Sequence, residues 1–372
     1  MKSIDNNLLY VNYFRIYRIH IIKGINGGVM LNIKRIININ KKTGFLSLLL
    51  IIALILCTML ISGGCSFIKG SKEYDYIVAK DGSGDFTTIQ EAINKVPLNN
   101  TKRVKIFIKN GVYDDGQIFI DHFKPYITLI GESRDGVKLT GSMDTFYGFG
   151  TSGSATLNAR GEGFAMENLT VENTSLDGLA VYLAADKSIV KNVNILGTKN
   201  VLFLSNNSLY TKFGWQSRQY FENCLIKGNE DIVYGPTRAV FNKCEIWSNT
   251  NEGAIISTNT PKEADKGFVF IECKLESDGE ENSTYLGRQW SDEAAIAFIN
   301  TTIGAHIKTD GWFWKGKSNK ESARFFEYKS QGSGAAINEN RAQLTDEEAK
   351  EYTVENVFKG EDISWNPLEE KY

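Results

Sequence analysis

Phe221-Glu222-Asn223-Cys224-Leu225-Ile226 is followed, 20 residues on, by Phe241-Asn242-Lys243-Cys244-Glu245-Ile246. The shared pattern is an apolar residue, two polar residues, cysteine or an apolar residue, any residue, then an aliphatic one. Upstream it occurs as Met166-Glu167-Asn168-Leu169-Thr170-Val171 and from Val190 to Ile195. Downstream it returns from Phe270 to Leu275 and from Phe298 to Ile303. The fourth positions are 169, 193, 224, 244, 273 and 301, giving spacings of 24, 31, 20, 29 and 28 residues. Recurrence at such a period marks a solenoid. Each copy is too short to bury a core alone, and each ends in the alternation of a strand. Uneven spacing fits stacked coils whose length variation sits in loops. Helical repeats would need 3.6-residue patterns between copies, and none is seen. A β-sandwich would turn every ~8–12 residues with no register among copies. The expected fold is all-β, one parallel β-helix over residues 76–330.

Stacking puts Cys224, Cys244 and Cys273 at equivalent places in successive coils, inside the solenoid. They read as buried thiols, with a disulfide between adjacent coils as the alternative. Short capping helices are expected at both ends, where a solenoid exposes strand edges. One is the stretch 86–97, with apolar residues at 89, 92, 93 and 96, a capping-box spacing of Thr87 and Gln90, and a stop at Pro97. The other begins at Thr345-Asp346-Glu347-Glu348, ahead of Ala349. Residues 331–372 are expected to be a C-terminal tail packing on the β-helix.

The chain has 372 residues and a formal charge of -2, but its charge is uneven. Residues 1–64 hold eight Lys/Arg and one acid, leaving 34 basic and 43 acidic residues beyond them. No basic stripe crosses that acidic part, which argues against nucleic acid as a partner. Lys34, Arg35, Lys41 and Lys42 precede an apolar run from Phe45 to Ile61, which ends in Ser62-Gly63-Gly64-Cys65. A positive flank, an apolar run and small residues make an export signal. Residues 1–64 therefore read as an N-terminal extension with a signal peptide, and 65–75 as a linker. Cys65 after two glycines resembles a bacterial lipoprotein acceptor, although Ser62 departs from its usual aliphatic residue. An uncleaved anchor is the other reading, since 17 residues are near the lower limit for a spanning helix. Both place the remainder outside the cytoplasm, secreted or held at the membrane surface. So few cysteines in an exported chain indicate a packed core, not a disulfide framework.

Further stretches bring a family into view. They are Val78-Ala79-Lys80-Asp81-Gly82-Ser83-Gly84-Asp85-Phe86, Gly111-Val112-Tyr113, Ile127-Thr128-Leu129-Ile130-Gly131-Glu132 and Arg218-Gln219-Tyr220-Phe221. Gly228-Asn229-Glu230-Asp231-Ile232-Val233-Tyr234-Gly235, Tyr285-Leu286-Gly287-Arg288-Gln289-Trp290 and Gly311-Trp312 follow. In this order, from Tyr76 to the C-terminus, the chain resembles the pectinesterases, which remove methyl esters from polygalacturonate on a right-handed parallel β-helix. The resemblance implies that Asp231 is the nucleophile and Arg288 the partner that holds its carboxylate. It implies that Trp290 and Trp312 line the sugar cleft, that no cofactor or metal takes part, and that the protein acts as a monomer on pectin or a related methyl-esterified polyuronate. Three positions depart from the family. Its general-acid aspartate is Asn200 here, the glutamine before it is Lys199, and an oxyanion-stabilising glutamine is Leu179.

The repeat tests this assignment independently. Asn200 lies seven residues after Val193, and Asp231 seven after Cys224. Equal offsets in adjacent coils set them one above the other, roughly 5 Å apart. Two carboxylates there would divide the work, one holding a proton as acid while the other attacks the ester. Asparagine can hydrogen-bond but cannot give up and retake a proton. General acid–base help is worth about 10²–10⁴-fold, and an oxyanion donor about 10²–10³-fold. Lys199 offers a cation near the groove or a solvated side chain. Glu230 should point away from Asp231.

Three readings follow: a carbohydrate esterase, a surface carbohydrate-binding protein without turnover, and a β-helical lyase using calcium and a base. The acids Glu276, Asp278, Glu280 and Glu281 read better as a charged loop than as a calcium site. The three histidines lie away from the repeat-aligned site. Without a Gly-x-Ser-x-Gly elbow, a serine triad of the α/β-hydrolase kind is not expected.

Overall fold

The third residue of every repeat copy turns the chain. Asn168, Asn192, Asn223, Lys243, Glu272 and Asn300 all have φ between 51° and 56°, and Lys329 extends the column at 50°. Asparagine tolerates this left-handed backbone best among residues with a side chain, which is why it holds four of these corners. The first, fourth and sixth positions face inward. At the first, Phe221, Phe241, Phe270 and Phe298 stack with ring centroids 4.6, 4.6 and 4.8 Å apart. At the fourth, Cys224, Cys244 and Cys273 are buried free thiols, and burial pushes the thiols of Cys224 and Cys244 up. At the sixth, Val171, Ile195, Ile226, Ile246, Leu275 and Ile303 are fully covered. Each buried side chain of this size stabilises the fold by about 1.5–3 kcal/mol.

The computed structural model describes residues 20–23, 29–32, 73–145, 150–206, 217–249, 253–314, 320–360 and 365–372. The chain divides into two compact units, Met1–Ser71 and Lys72–Tyr372. The first contains an antiparallel pair, His20–Lys23 with Val29–Asn32. The apolar run from Phe45 to Ile61 and Cys65 lie outside the described residues.

In the second unit the described strands run from Tyr76–Val78 to Arg324–Tyr328. Every named pairing among them is parallel, as in Arg218–Glu222 on Arg238–Asn242 and Leu225–Gly228 on Glu245–Ser248. The coils form a right-handed parallel β-helix. Two of its sheets merge where Ala165–Asn173 and Ser188–Leu196 run through the repeat corner. A separate eight-stranded sheet runs from Ile118–Ile120 to Trp312–Phe313.

The N-terminal helix, Ile89–Lys95, is capped by Thr88, whose hydroxyl accepts from Glu91 N at 3.3 Å. The cap is thus one residue later than the Thr87–Gln90 spacing suggested. Gln90 is occupied instead with the backbone of Phe119, through Nε2 to O at 3.1 Å and N to Oε1 at 2.8 Å. The C-terminal box forms as expected: Thr345 N donates to Glu348 Oε2 (2.8 Å) and Glu348 N to Thr345 Oγ1 (3.2 Å). The tail does more than close an end. Ala165, Ile189, Tyr220, Val240, Val269 and Ala297 make an apolar column on the outer face of the merged sheet. Val354, Val357, Phe358 and Trp365 cover that column. A face so apolar needs a cover, and the tail lies along the flank for that reason.

Candidate active site

The eight-stranded sheet carries the groove. Its short strands repeat an aliphatic–aromatic–small or aliphatic triplet: Val181-Tyr182-Leu183, Leu202-Phe203-Leu204 and Val233-Tyr234-Gly235. Alternation sends the flanking residues inward and the aromatic outward. Register continues the outward column from Tyr182 through Phe203, Tyr234 and Ser257 to Arg288 and Phe313. Phe203 stacks on Tyr234 at 4.6 Å, and Tyr182 meets Phe203 edge-on at 5.4 Å. Trp290 is 50% exposed and leans toward both, 6.3 Å from Phe203 and 6.1 Å from Tyr234. The result is an aromatic floor with one open indole, a surface suited to sugar rings.

Asp231 stands just before the strand Val233–Gly235. Its carboxylate takes a fork-to-fork pair from Arg288, Nε to Oδ1 at 2.9 Å and Nη2 to Oδ2. The two side chains are 14% and 31% exposed, so the pair is open to the groove. Two parallel charge-assisted bonds fix the carboxylate's orientation as well as its place. They also raise the pKa of Arg288, its hydrogen bond to Asp231 outweighing the opposing effect of burial. Tyr234 beneath them is pushed well above the ordinary phenol range, first by burial and then by the charges of Asp231 and Asp177.

Asn200 lies directly under Asp231, as the equal offsets required. Its strand partner pairs Leu202 with Val233, and Asn200 N donates to Glu230 O at 3.3 Å. Asp231 N donates to Ala254 O in the next coil at 2.9 Å. Both corners are left-handed, with φ of 53° at Asn200 and 46° at Asp231. Glu230 leans over Gly253, where an added Cβ would come within 2.8 Å of its Oε1. Lys199 is exposed and makes no hydrogen bond or ion pair among the described residues.

Two residues expected in the cleft are covered. Trp312 is 1% exposed and packs in the core, 4.6 Å from Phe325. Register explains the correction: Trp312 pairs with Gly287, and a Cβ on that glycine would point inward to within 3.4 Å of the indole. The missing side chain at 287 makes room for Trp312, while its neighbour Phe313, 41% exposed, takes the outward place beside Arg288. Leu179 is wholly buried, in a cluster with Ala155 and Tyr234 under the floor. It supports the aromatics from below and offers the groove no polar atom of its side chain.

The sequence reading also missed groove residues. Tyr182, Phe203 and Tyr234 were legible in the three aligned triplets. Asp177 was not: it sits on a loop, and its carboxylate accepts from Asn200 Nδ2 (3.4 Å) and Thr145 Oγ1 (2.6 Å). Nothing in local sequence spacing announces that meeting.

Comparison with known proteins agrees with this fold. The family model described as Pectinesterase matches residues 75–361. "Pectinesterase 31" of Arabidopsis thaliana is 29% identical over 290 residues, 73% of this chain and 88% of the relative. Among solved structures, the pectin methylesterase from carrot matches with a TM-score of 0.69 at 26% identity, covering 77% of this chain and 93% of that one. A pectin methylesterase in complex with a hexasaccharide matches with a TM-score of 0.66 at 26% identity, over 79% and 98%. A family match spanning most of the chain, on a β-helix that joins Asp231 to Arg288, settles the kinship: this chain belongs to the pectinesterase family.

Proposed function

We propose that this protein is an exported carboxylic ester hydrolase that removes methyl groups from pectin or a related methyl-esterified polyuronate. The observation that carries the reading is the Asp231–Arg288 pair, open on an aromatic groove floor. The Asp231 carboxylate attacks the ester carbonyl, and Arg288 keeps one oxygen aimed while the other forms the bond. Collapse of the tetrahedral species breaks the bond to methoxide, which leaves as methanol once protonated. Water then cleaves the acyl–Asp231 intermediate and frees the uronate. Methoxide is a poor leaving group without a proton, so the step needs an acid. Sugar rings pack on Trp290 and the aromatics beneath it. The purified chain, given methyl-esterified polygalacturonate, is expected to release methanol in step with new carboxylate.

Asn200 at the acid's position favours a second reading, a carbohydrate-binding protein without turnover. Pectin binding with no methanol would establish it. The run Phe45–Ile61 followed by Ser62-Gly63-Gly64-Cys65 supports export, with lipid attachment at Cys65. Radiolabelled fatty acid should enter the wild-type chain in a bacterial host and not Cys65→Ser; equal labelling would refute the anchor.

A further inference from the structure

We propose that Asp177 supplies the acid and base function that Asn200 cannot, so that this active site works with its second carboxylate moved onto a neighbouring loop. The inference rests on the esterase reading above. Its first support is placement. Asn200 occupies the corner one coil from Asp231, and its amide Nδ2 donates to Asp177 Oδ1 at 3.4 Å. The Asp177 carboxylate is therefore one hydrogen bond from the seat where an aspartate at 200 would hold its own.

The second support is how Asp177 is held. Thr145 Oγ1 donates to Asp177 Oδ2 at 2.6 Å, and Thr145 N donates to Asp177 O at 3.2 Å. Asp177 N in turn donates to Ser175 Oγ (3.4 Å), which donates to Asp144 Oδ2 at 2.8 Å. The loop is thus tied to the coil below it. Both oxygens of Asp177 meet neutral donors, and no cation pairs with it among the described residues, whereas Asp231 has Arg288. Of these two carboxylates only Asp231 is held by an arginine, which suits a division of labour: the paired one attacks and the unpaired one carries the proton.

The chemistry balances. Asp231 adds to the ester carbonyl while Asp177 is protonated. The carbonyl–methoxy bond breaks, and the Asp177 proton passes to the methoxy oxygen, directly or through one water. Asp177, now a carboxylate, takes a proton from the water that attacks the acyl–Asp231 carbonyl. The anhydride bond breaks toward Asp231, the uronic acid loses its remaining proton to solvent, and both aspartates return to their starting forms. Asn200 then acts as a positioning residue, its amide holding Asp177 Oδ1 toward the groove.

Methanol release from methyl-esterified polygalacturonate by the full chain, measured against pH, tests the proposal in wild type, Asp177→Asn, Asn200→Asp and the double variant. Asp177→Asn is close to isosteric at an exposed site. Expected is a fall in kcat of at least about 10²-fold with KM nearly unchanged, loss of the limb of the pH profile that reports the acid, and recovery of at least tenfold when Asn200→Asp is added. An Asp177→Asn enzyme within threefold of wild type would overturn the proposal and leave the esterase reading standing. So would an inactive wild type made active by Asn200→Asp. No methanol from wild type or Asn200→Asp would reject both readings together.

Discussion

Two of the columns of left-handed corners along this solenoid place different demands on their side chains. One follows the repeat, through 168, 192, 223, 243, 272 and 300. The other lies at the groove, at Asn200 and Asp231. The backbone demand is the same in both, and asparagine or aspartate meets it well. In the first column side chains meet one another: Asn192 Nδ2 bonds Asn168 Oδ1 at 2.7 Å, and Lys243 faces Glu272 at 3.8 Å. In the second they are tied to other polar side chains, Asn200 Nδ2 donating to Asp177 Oδ1 at 3.4 Å and Asp231 Oδ1 accepting from Arg288 Nε at 2.9 Å. A repeat corner is thus exchangeable, whereas a groove corner is not. Asparagine at 200 keeps the left-handed turn but cannot give up and retake a proton.

That contrast can be broken from either side. The largest effect is expected inside the repeat, where Phe241→Ala removes the middle of a stack of four rings. It should cost about 3–5 kcal/mol in denaturant unfolding, and a loss below 1 kcal/mol would mean the stack is not the spine of the core. At the groove, Trp290→Ala should leave stability unchanged and raise KM by roughly 3- to 10-fold, the worth of one aromatic face. A KM within error of wild type would place the sugar elsewhere. His306 sharpens the distinction by pH. It is buried, its Nε2 has no hydrogen-bond partner among the described residues, and burial lowers its pKa to about 4 from 6.5. The unfolded chain therefore binds this proton first, so the stability His306 permits is full above pH 6.5 and drains as pH falls toward 4. His306→Leu should flatten that part of the stability profile, and an unchanged slope would refute the assignment. The smallest effect belongs to the exchangeable column: Lys243→Asn should stabilise by up to about 1 kcal/mol with no change in turnover.

Much of this was legible before any fold was seen, and the misses have physical causes. The repeat gave the coil register, and the register placed 200 beneath 231, because equal offsets in stacked coils admit one answer; Arg288 was implied by the family resemblance alone. Trp312 went astray because its strand has two residues, Trp312–Phe313. A one-residue slip reverses inside and outside, and a strand that short fixes its own parity poorly. The cue lay a coil away, in the glycine at 287. The tail was expected to pack on the β-helix, but the surface it packs on, the apolar outer column from Ala165 to Ala297, was not named. Asp177 was invisible for a different reason: a loop is positioned by what ties it down, here Thr145 from the preceding coil.

The most direct trial of the whole account compares wild type with Asp231→Asn on methyl-esterified polygalacturonate. Wild type should release methanol, and the variant, keeping the left-handed corner but losing the nucleophile, should fall by at least about 10³-fold while still binding the polymer. Equal methanol from both proteins would show that the carboxylate paired to Arg288 is not where the ester is cleaved.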